Sequence, residues 1–270
     1  MPYIKAPSGI RWHYLARGKG RASLLFIHGW AGDFSIWFRQ IDHFSDRFNV
    51  VVLDLPGHGK SDWRDINFES LIDDIIFISR SLKLKDIIVF GLSFGGQIAI
   101  KLALKSRLFK RLVLIDTAPK FVKDEGFNAG LDSREIEKLS GQIDTDFPNI
   151  LVVFAHSLFT IEEKQKEIFV SLWDLFRRKK CFPQKDALKR MLVMIGKIDL
   201  RDQLHKIKIP TLIISGEKDY ICPLFVSEFM NKNIPNSQLR IIEKCGHLPF
   251  LTEEAQFNSI IDGFLLDDDK

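Results

Sequence analysis

Cysteine is scarce in this chain. Its three copies in 270 residues, Cys181, Cys222 and Cys245, are odd in number, far apart and without a C-x-x-C pair. That excludes a disulfide framework and offers no zinc-site spacing. Such thiols suit a reducing compartment, so a cytoplasmic protein is expected. Long apolar runs are missing too. No stretch approaches the roughly 20 residues of a membrane span. The opening Met1-Pro2-Tyr3-Ile4-Lys5 has no apolar core of a signal peptide. No repeat and no low-complexity linker interrupts the chain, which leaves one large domain or one domain with an insertion. Neither sign of charge dominates: 39 Lys and Arg face 35 Asp and Glu, a net +4. That is poor ground for nucleic-acid binding.

What the chain does have is apolar surface. Hydrophobic residues make up 46%, and 23 are Phe. A chain of this length buries about three quarters of its unfolded surface and needs no metal or disulfide to hold a core. Short apolar runs at Ser23–His28, Asn49–Asp54, Asp86–Gly91, Arg111–Asp116, Pro210–Gly216 and Gln238–Ile242 read as strands. Several are apolar at consecutive positions, as in a parallel sheet buried on both faces. Helical patterns separate them at Ser35–Asp46, Phe68–Leu82, Ser93–Ser106, Leu224–Asn233 and Glu253–Leu265. Strand alternating with helix predicts βαβ units and a mostly parallel sheet flanked by helices. The stretch Tyr3–Leu15 predicts a hairpin at the sheet edge. The alternation lapses between Asp116 and Pro210, where helical spacing dominates. The expected organisation is a core of residues 1–118 and 192–270 with a helical cap of residues 119–191. Ligands of open α/β sheets bind beyond the carboxyl ends of the strands, so such an insertion would roof the site.

Gly91-Leu92-Ser93-Phe94-Gly95-Gly96 follows an apolar strand and opens a helical run. It fits G-x-S-x-G in the strand–turn–helix setting that pattern requires. Serine needs a base. His247, in Cys245-Gly246-His247-Leu248-Pro249-Phe250, falls between the last strand and the last helix, on the edge that also carries Ser93. His28 and His58, flanked by glycines, read as architectural, and His13 belongs to the edge hairpin. The base needs an acid to orient it. Asp219 directly follows a strand and is favoured, with Glu217 and Asp116 as rivals. The chain order Ser, Asp, His is that of α/β-hydrolases. An oxyanion hole needs two backbone donors. The N–H groups of Phe94 and of Trp30, in His28-Gly29-Trp30-Ala31-Gly32, are the candidates.

His28-Gly29-Trp30, Asp54-Leu55-Pro56-Gly57-His58-Gly59-Lys60-Ser61-Asp62, Gly91–Gly96, Gly216–Asp219 and Gly246-His247 together resemble the α/β-hydrolase pattern over essentially the whole core. Within it the chain is similar to the biotin-pathway carboxylesterases that demethylate pimeloyl-acyl-carrier-protein methyl ester. The likeness lies in His28-Gly29-Trp30, Thr117–Gly126 and Ile198-Asp199-Leu200-Arg201-Asp202-Gln203-Leu204. The resemblance implies a serine esterase working through an acyl-enzyme, without cofactor or metal. Its substrate would be a methyl ester, carried on an acidic acyl carrier protein or presented as a small molecule. Trp30, Phe154 and Leu248 would line the substrate pocket. Val153 stands where an arginine of that family is expected. A substitute basic cluster exists: Lys164 to Arg190 holds nine basic residues against three acids, with Arg177, Arg178, Lys179 and Lys180 consecutive. These four are the candidate carrier-docking residues. Neither a nucleic acid nor a membrane is an expected partner, and a monomer is expected. A general carboxylesterase or thioesterase, a carbon–carbon bond hydrolase and a non-catalytic small-ligand receptor of the same fold are the alternatives.

Overall fold

The computed structural model describes residues 2–128, 130–177 and 182–266. Eight strands form one sheet: β1 (Tyr3–Lys5), β2 (Arg11–Arg17), β3 (Ser23–Ile27), β4 (Asn49–Leu53), β5 (Ile87–Leu92), β6 (Phe109–Ile115), β7 (Thr211–Gly216) and β8 (Ser237–Ile242). Their spatial order is β1-β2-β4-β3-β5-β6-β7-β8. β2 pairs antiparallel with β1 and β4, and every other pairing is parallel. After β3 the chain steps outward to β4, then back across to β5. The crevice beyond the carboxyl ends of β3 and β5 is therefore the switch point of the sheet.

The consecutive apolar residues of the strands serve two cores, one on each face. In β3, Leu25 and Ile27 join one core while Leu24 and Phe26 join the other. The same alternation runs through β4, β5, β6 and β7, because successive side chains of a strand point to opposite faces. The first core packs against α2 (Phe68–Ser81), α3 (Phe94–Lys105) and α8 (Leu224–Asn233). The second packs against α1 (Phe38–Phe44) and α10 (Glu254–Leu266). Among the described residues, four α-helices lie between β6 and β7: α4 (Ser133–Thr145), α5 (Asn149–Ser157), α6 (Glu167–Arg177) and α7 (Lys185–Lys197).

Several boundaries differ from expectation. The helix expected over Ser35–Asp46 opens as a 3-10 turn, Phe34–Trp37, whose N-cap Asp33 accepts from the Ser35 N–H. The last helix is preceded by the short α9 (Pro249–Thr252), with Pro249 at its first turn. The inserted helices run past Met191, where the cap was expected to end, because α7 buries Leu192, Met194 and Ile195 as well. The two ends of the insertion are clamped together. Lys120 bridges to Asp199, and Arg201 reaches both Asp199 (2.7 Å) and Asp124 (2.7 Å). Among the described residues no helix is long and apolar enough to cross a membrane.

Candidate active site

The turn between β5 and α3 is built around Ser93. Its φ of 52° and ψ of −120° put a non-glycine residue in a strained conformation that persists only if its surroundings enforce it. They do. The Ser93 N–H donates to Ile115 O (3.0 Å), and its carbonyl accepts from Gly96 N (2.8 Å) and Thr117 Oγ1 (2.6 Å). The flanking glycines are required by space. A Cβ on Gly91 would lie 2.3 Å from Gly95 O, and one on Gly95 would lie 2.5 Å from Ile27 O.

The loop after β3 passes directly over this turn: a Cβ on Gly29 would lie 3.1 Å from that of Ser93. His28 fixes the loop. Its Nε2 accepts from Leu55 N (3.0 Å), and its Nδ1 is 2.7 Å from Gly29 O, which assigns the proton to Nδ1. The architectural reading of His28 holds. Asp54 does the same for the neighbouring loop, accepting from the backbone N–H of Phe34 and Lys60 and pairing with His13 at 2.7 Å. The backbone N–H groups of Trp30 and Phe94 take no acceptor among the described residues. The Phe94 side chain is fully buried away from the site, near Phe68.

His247 is 2% exposed, on the loop after β8. Its Nδ1 lies 2.7 Å from Asp219 Oδ2, and its backbone N–H donates to Leu158 O (2.9 Å). Asp219, on the loop after β7, also accepts from Ile221 N (2.8 Å). Of the rival carboxylates, Glu217 takes the Lys244 N–H instead. Asp116 is the less expected one. It is wholly buried and accepts from Gly216 N (2.8 Å), while its Oδ2 meets no donor. Burial, and then the adjacent Asp219, hold this carboxyl well above the usual carboxylate range. Asp116 is thus the member of a buried carboxyl pair whose neutral form the surroundings favour. Cys222 completes the group, since its sulfur and the ligand atoms of Asp219 and His247 lie within 4.8 Å of one another. Burial pushes this thiol far up, so it offers a protonated sulfur, and Asp219 and His247 are already engaged with each other.

Ser93 and His247 open onto one cavity of about 590 Å³, within the ordinary range for small-molecule sites. Trp30, Phe38, Phe154, Leu158, Phe159, Trp173 and Leu248 supply most of its wall. Ser35, Ser93 and His247 are its polar lining side chains, and no charged side chain lines it among the described residues. The inserted helices contribute much of this wall. Phe154 of α5 meets the Trp30 ring edge-on at 4.8 Å, and the Trp30 Nε1–H donates to Leu188 O of α7 (3.0 Å). Trp173 is backed by His156 (4.1 Å) and Phe169.

The structure brings Ser93, Trp30, Phe154, His247 and Leu248 to one cavity, with Asp219 against His247. Arg178, Lys179 and Lys180 lie outside the described residues, as does the side chain of Arg177. Other cations of that segment are engaged internally: Lys166 with Glu253, Lys189 with Asp144 and Arg190 with Asp65. Asp116 stood among the rivals for a different role. Leu158, Phe159 and Trp173 gave no signal beyond apolarity.

The sequence model of the alpha/beta hydrolase fold matches residues 22–254. The chain belongs to the α/β-hydrolase family. Among its relatives in that family is a pimeloyl-[acyl-carrier protein] methyl ester esterase of Nitrosomonas europaea, 31% identical over 251 residues, covering 93% of this chain and 98% of that protein. The AB hydrolase superfamily protein YisY of Bacillus subtilis is 28% identical over 268 residues, 97% of this chain and 98% of that one. An esterase from Exiguobacterium antarcticum superposes with a TM-score of 0.89 at 27% identity, over 97% of this chain and 98% of that one. This α/β-hydrolase is a carboxylic ester hydrolase.

Proposed function

We propose that the protein is a serine carboxylesterase that removes methanol from the methyl ester of an acyl chain, with pimeloyl-[acyl-carrier protein] methyl ester as its natural substrate. One observation carries the reading. Ser93 and His247, the latter held by Asp219, face a mostly apolar cavity that no charged side chain lines among the described residues. A neutral acyl ester fits such a cavity, and a free carboxylate would lose its hydration there without a counter-charge. The identities of the relatives support the carrier-bound substrate.

In this reading His247 takes the Ser93 proton as the hydroxyl oxygen attacks the ester carbonyl. The N–H groups of Trp30 and Phe94 receive the oxyanion. His247 then protonates the departing methoxide, and methanol leaves an acyl-Ser93. Water, deprotonated by the same imidazole, attacks that ester and frees the acid. Asp219 keeps the Nδ1 proton of His247 in place throughout. The inserted helices are the roof that seats the acyl chain. Hydrolysis turns a neutral ester into a carboxylate against an apolar wall, which favours product release.

The test compares pimeloyl methyl ester on acyl carrier protein with a short p-nitrophenyl ester, with Ser93→Ala as the control. Rapid demethylation of the carrier substrate, lowered by at least about 10³-fold in Ser93→Ala, is the expected result. Turnover of the small ester alone would retain Ser93 and discard the carrier. Undiminished activity in Ser93→Ala would discard the mechanism.

A further inference from the structure

Glu163 is a buried carboxylate, 1% exposed, in the short link between α5 and α6. Thr160-Ile161-Glu162-Glu163 is a capping box: the Glu163 N–H donates to Thr160 Oγ1 (3.0 Å) and the Thr160 N–H to Glu163 Oε2 (2.8 Å). A cap alone would leave the side chain at the surface. This one is instead driven into the loop that carries His247. Thr252 Oγ1 donates to Oε1 at 2.7 Å, Cys245 Sγ lies 3.4 Å from the same oxygen, and the Gly246 N–H is 3.2 Å from both oxygens. Residue 246 must be glycine for this approach, because a Cβ there would stand 2.8 Å from Glu163 Oε2 and 2.8 Å from Leu158 O. The same link supplies Leu158, whose carbonyl accepts the His247 N–H and whose side chain lines the acyl cavity.

From this geometry we infer that Glu163 is a positioning residue, through which the inserted helices hold the Cys245–Gly246 turn and so keep His247 in register with Ser93. The inference rests on His247 being the base proposed above. Asp219 orients the imidazole from the sheet side. Glu163 and the Leu158 carbonyl fix its backbone from the roof side. The Gly246 N–H, which can only donate, lies 3.2 Å from both oxygens, so an amide in place of the carboxylate meets it with an NH₂ whichever way it is turned. In glutamine an NH₂ replaces one acceptor and faces an N–H. Displacing a base by about an ångström costs on the order of 100-fold in rate while leaving the acyl cavity intact. The signature is therefore a fall in kcat without a matching rise in KM.

The experiment measures kcat and KM for a p-nitrophenyl ester in wild type, Glu163→Gln and Ser93→Ala, with circular dichroism melts to show that each is folded at the assay temperature. Glu163→Gln should lower kcat about 10- to 100-fold with KM within about threefold. A folded Glu163→Gln whose kcat stays within about twofold, or whose loss lies in KM alone, overturns the inference. If Glu163→Gln does not fold, Thr252→Val removes a single donor. A kcat lowered about threefold or more at constant KM then supports the role, and an unchanged kcat overturns it. Ser93→Ala keeps the two readings apart. An inactive Ser93→Ala beside a fully active Glu163→Gln defeats only the positioning role, whereas an active Ser93→Ala defeats the base assignment itself.

Discussion

Asp116 and Asp219 share a buried site yet have opposite needs. In the mechanism proposed above Asp219 holds the His247 Nδ1–H, while burial and the adjacent Asp219 hold the Asp116 carboxyl well above the usual carboxylate range. Their amide variants should therefore differ sharply. Asp219→Asn loses the charge that stabilises the imidazolium and should cost on the order of 10³- to 10⁴-fold in kcat. Asp116→Asn keeps an oxygen for the Gly216 N–H and an N–H for Asp219, so its kcat should stay within about fivefold of wild type, as measured on any ester substrate. The pH dependence of stability gives a second readout. A carboxyl whose pKa rises on folding takes up a proton to fold. Its contribution is complete below the unfolded pKa of about 4 and is lost as pH rises through the higher folded value. The amide has no such loss. Urea unfolding at pH 5 and pH 8 should show Asp116→Asn gaining on wild type at the higher pH. A pH-independent difference would mean that Asp116 folds as an anion.

The elements were legible where one physical pattern dominated. Val50-Val51-Val52-Leu53 and Ile87-Ile88-Val89-Phe90 announce strands buried on both faces, and the two cores confirm why. The G-x-S-x-G turn and the loop ends carrying Asp219 and His247 were readable for the same reason, since strand ends of a parallel sheet lie on one edge. The inserted segment was harder. Helix α4 is mostly exposed, with a narrow stripe of Ile136, Leu139 and Ile143 against the core, and α7 extends beyond the expected boundary because its later turns pack on the core. Contacts across long separations were not readable. Thr160-x-x-Glu163 is visible as a capping box, but nothing local says that its carboxylate meets Gly246, 83 residues away. The clamp at the base of the insertion belongs here too. Arg201 and Lys120 hold the Asp199 carboxyl down at about 2. Its contribution is present above the unfolded value of about 4 and lost as pH falls through about 2. The cluster is partly exposed, so screening limits Arg201→Ala to about 1 kcal/mol of lost stability near neutral pH. Urea unfolding near pH 7 should show that loss, and the difference should shrink toward pH 3. A constant difference would assign the effect to packing of Arg201 on Phe127, 5.1 Å from its ring centroid, rather than to charge.

At the scale of the whole molecule, a net charge of +4 is too small to bring an acidic carrier to the cavity mouth from long range. If the carrier proposed above is the substrate, local charge must do it. Lys166, Lys189 and Arg190 are committed to carboxylates of this chain, so they neutralise themselves. Of the cations between Lys164 and Arg190, the run Arg177-Arg178-Lys179-Lys180 is the densest in the sequence. If it docks the carrier, Arg178→Glu, Lys179→Glu and Lys180→Glu together should lower kcat/KM for the carrier-bound ester about tenfold or more at low ionic strength, because charges at the rim of an interface act mainly on association. The same triple variant should hydrolyse a p-nitrophenyl ester at the wild-type rate, since that substrate needs only the neutral cavity. Raising salt should erase the difference, as exposed charges are screened beyond about 8 Å at physiological ionic strength. Equal losses on both substrates would place the run in the fold or in the cavity roof. No loss on either would leave the carrier, if one is used, to approach over another face.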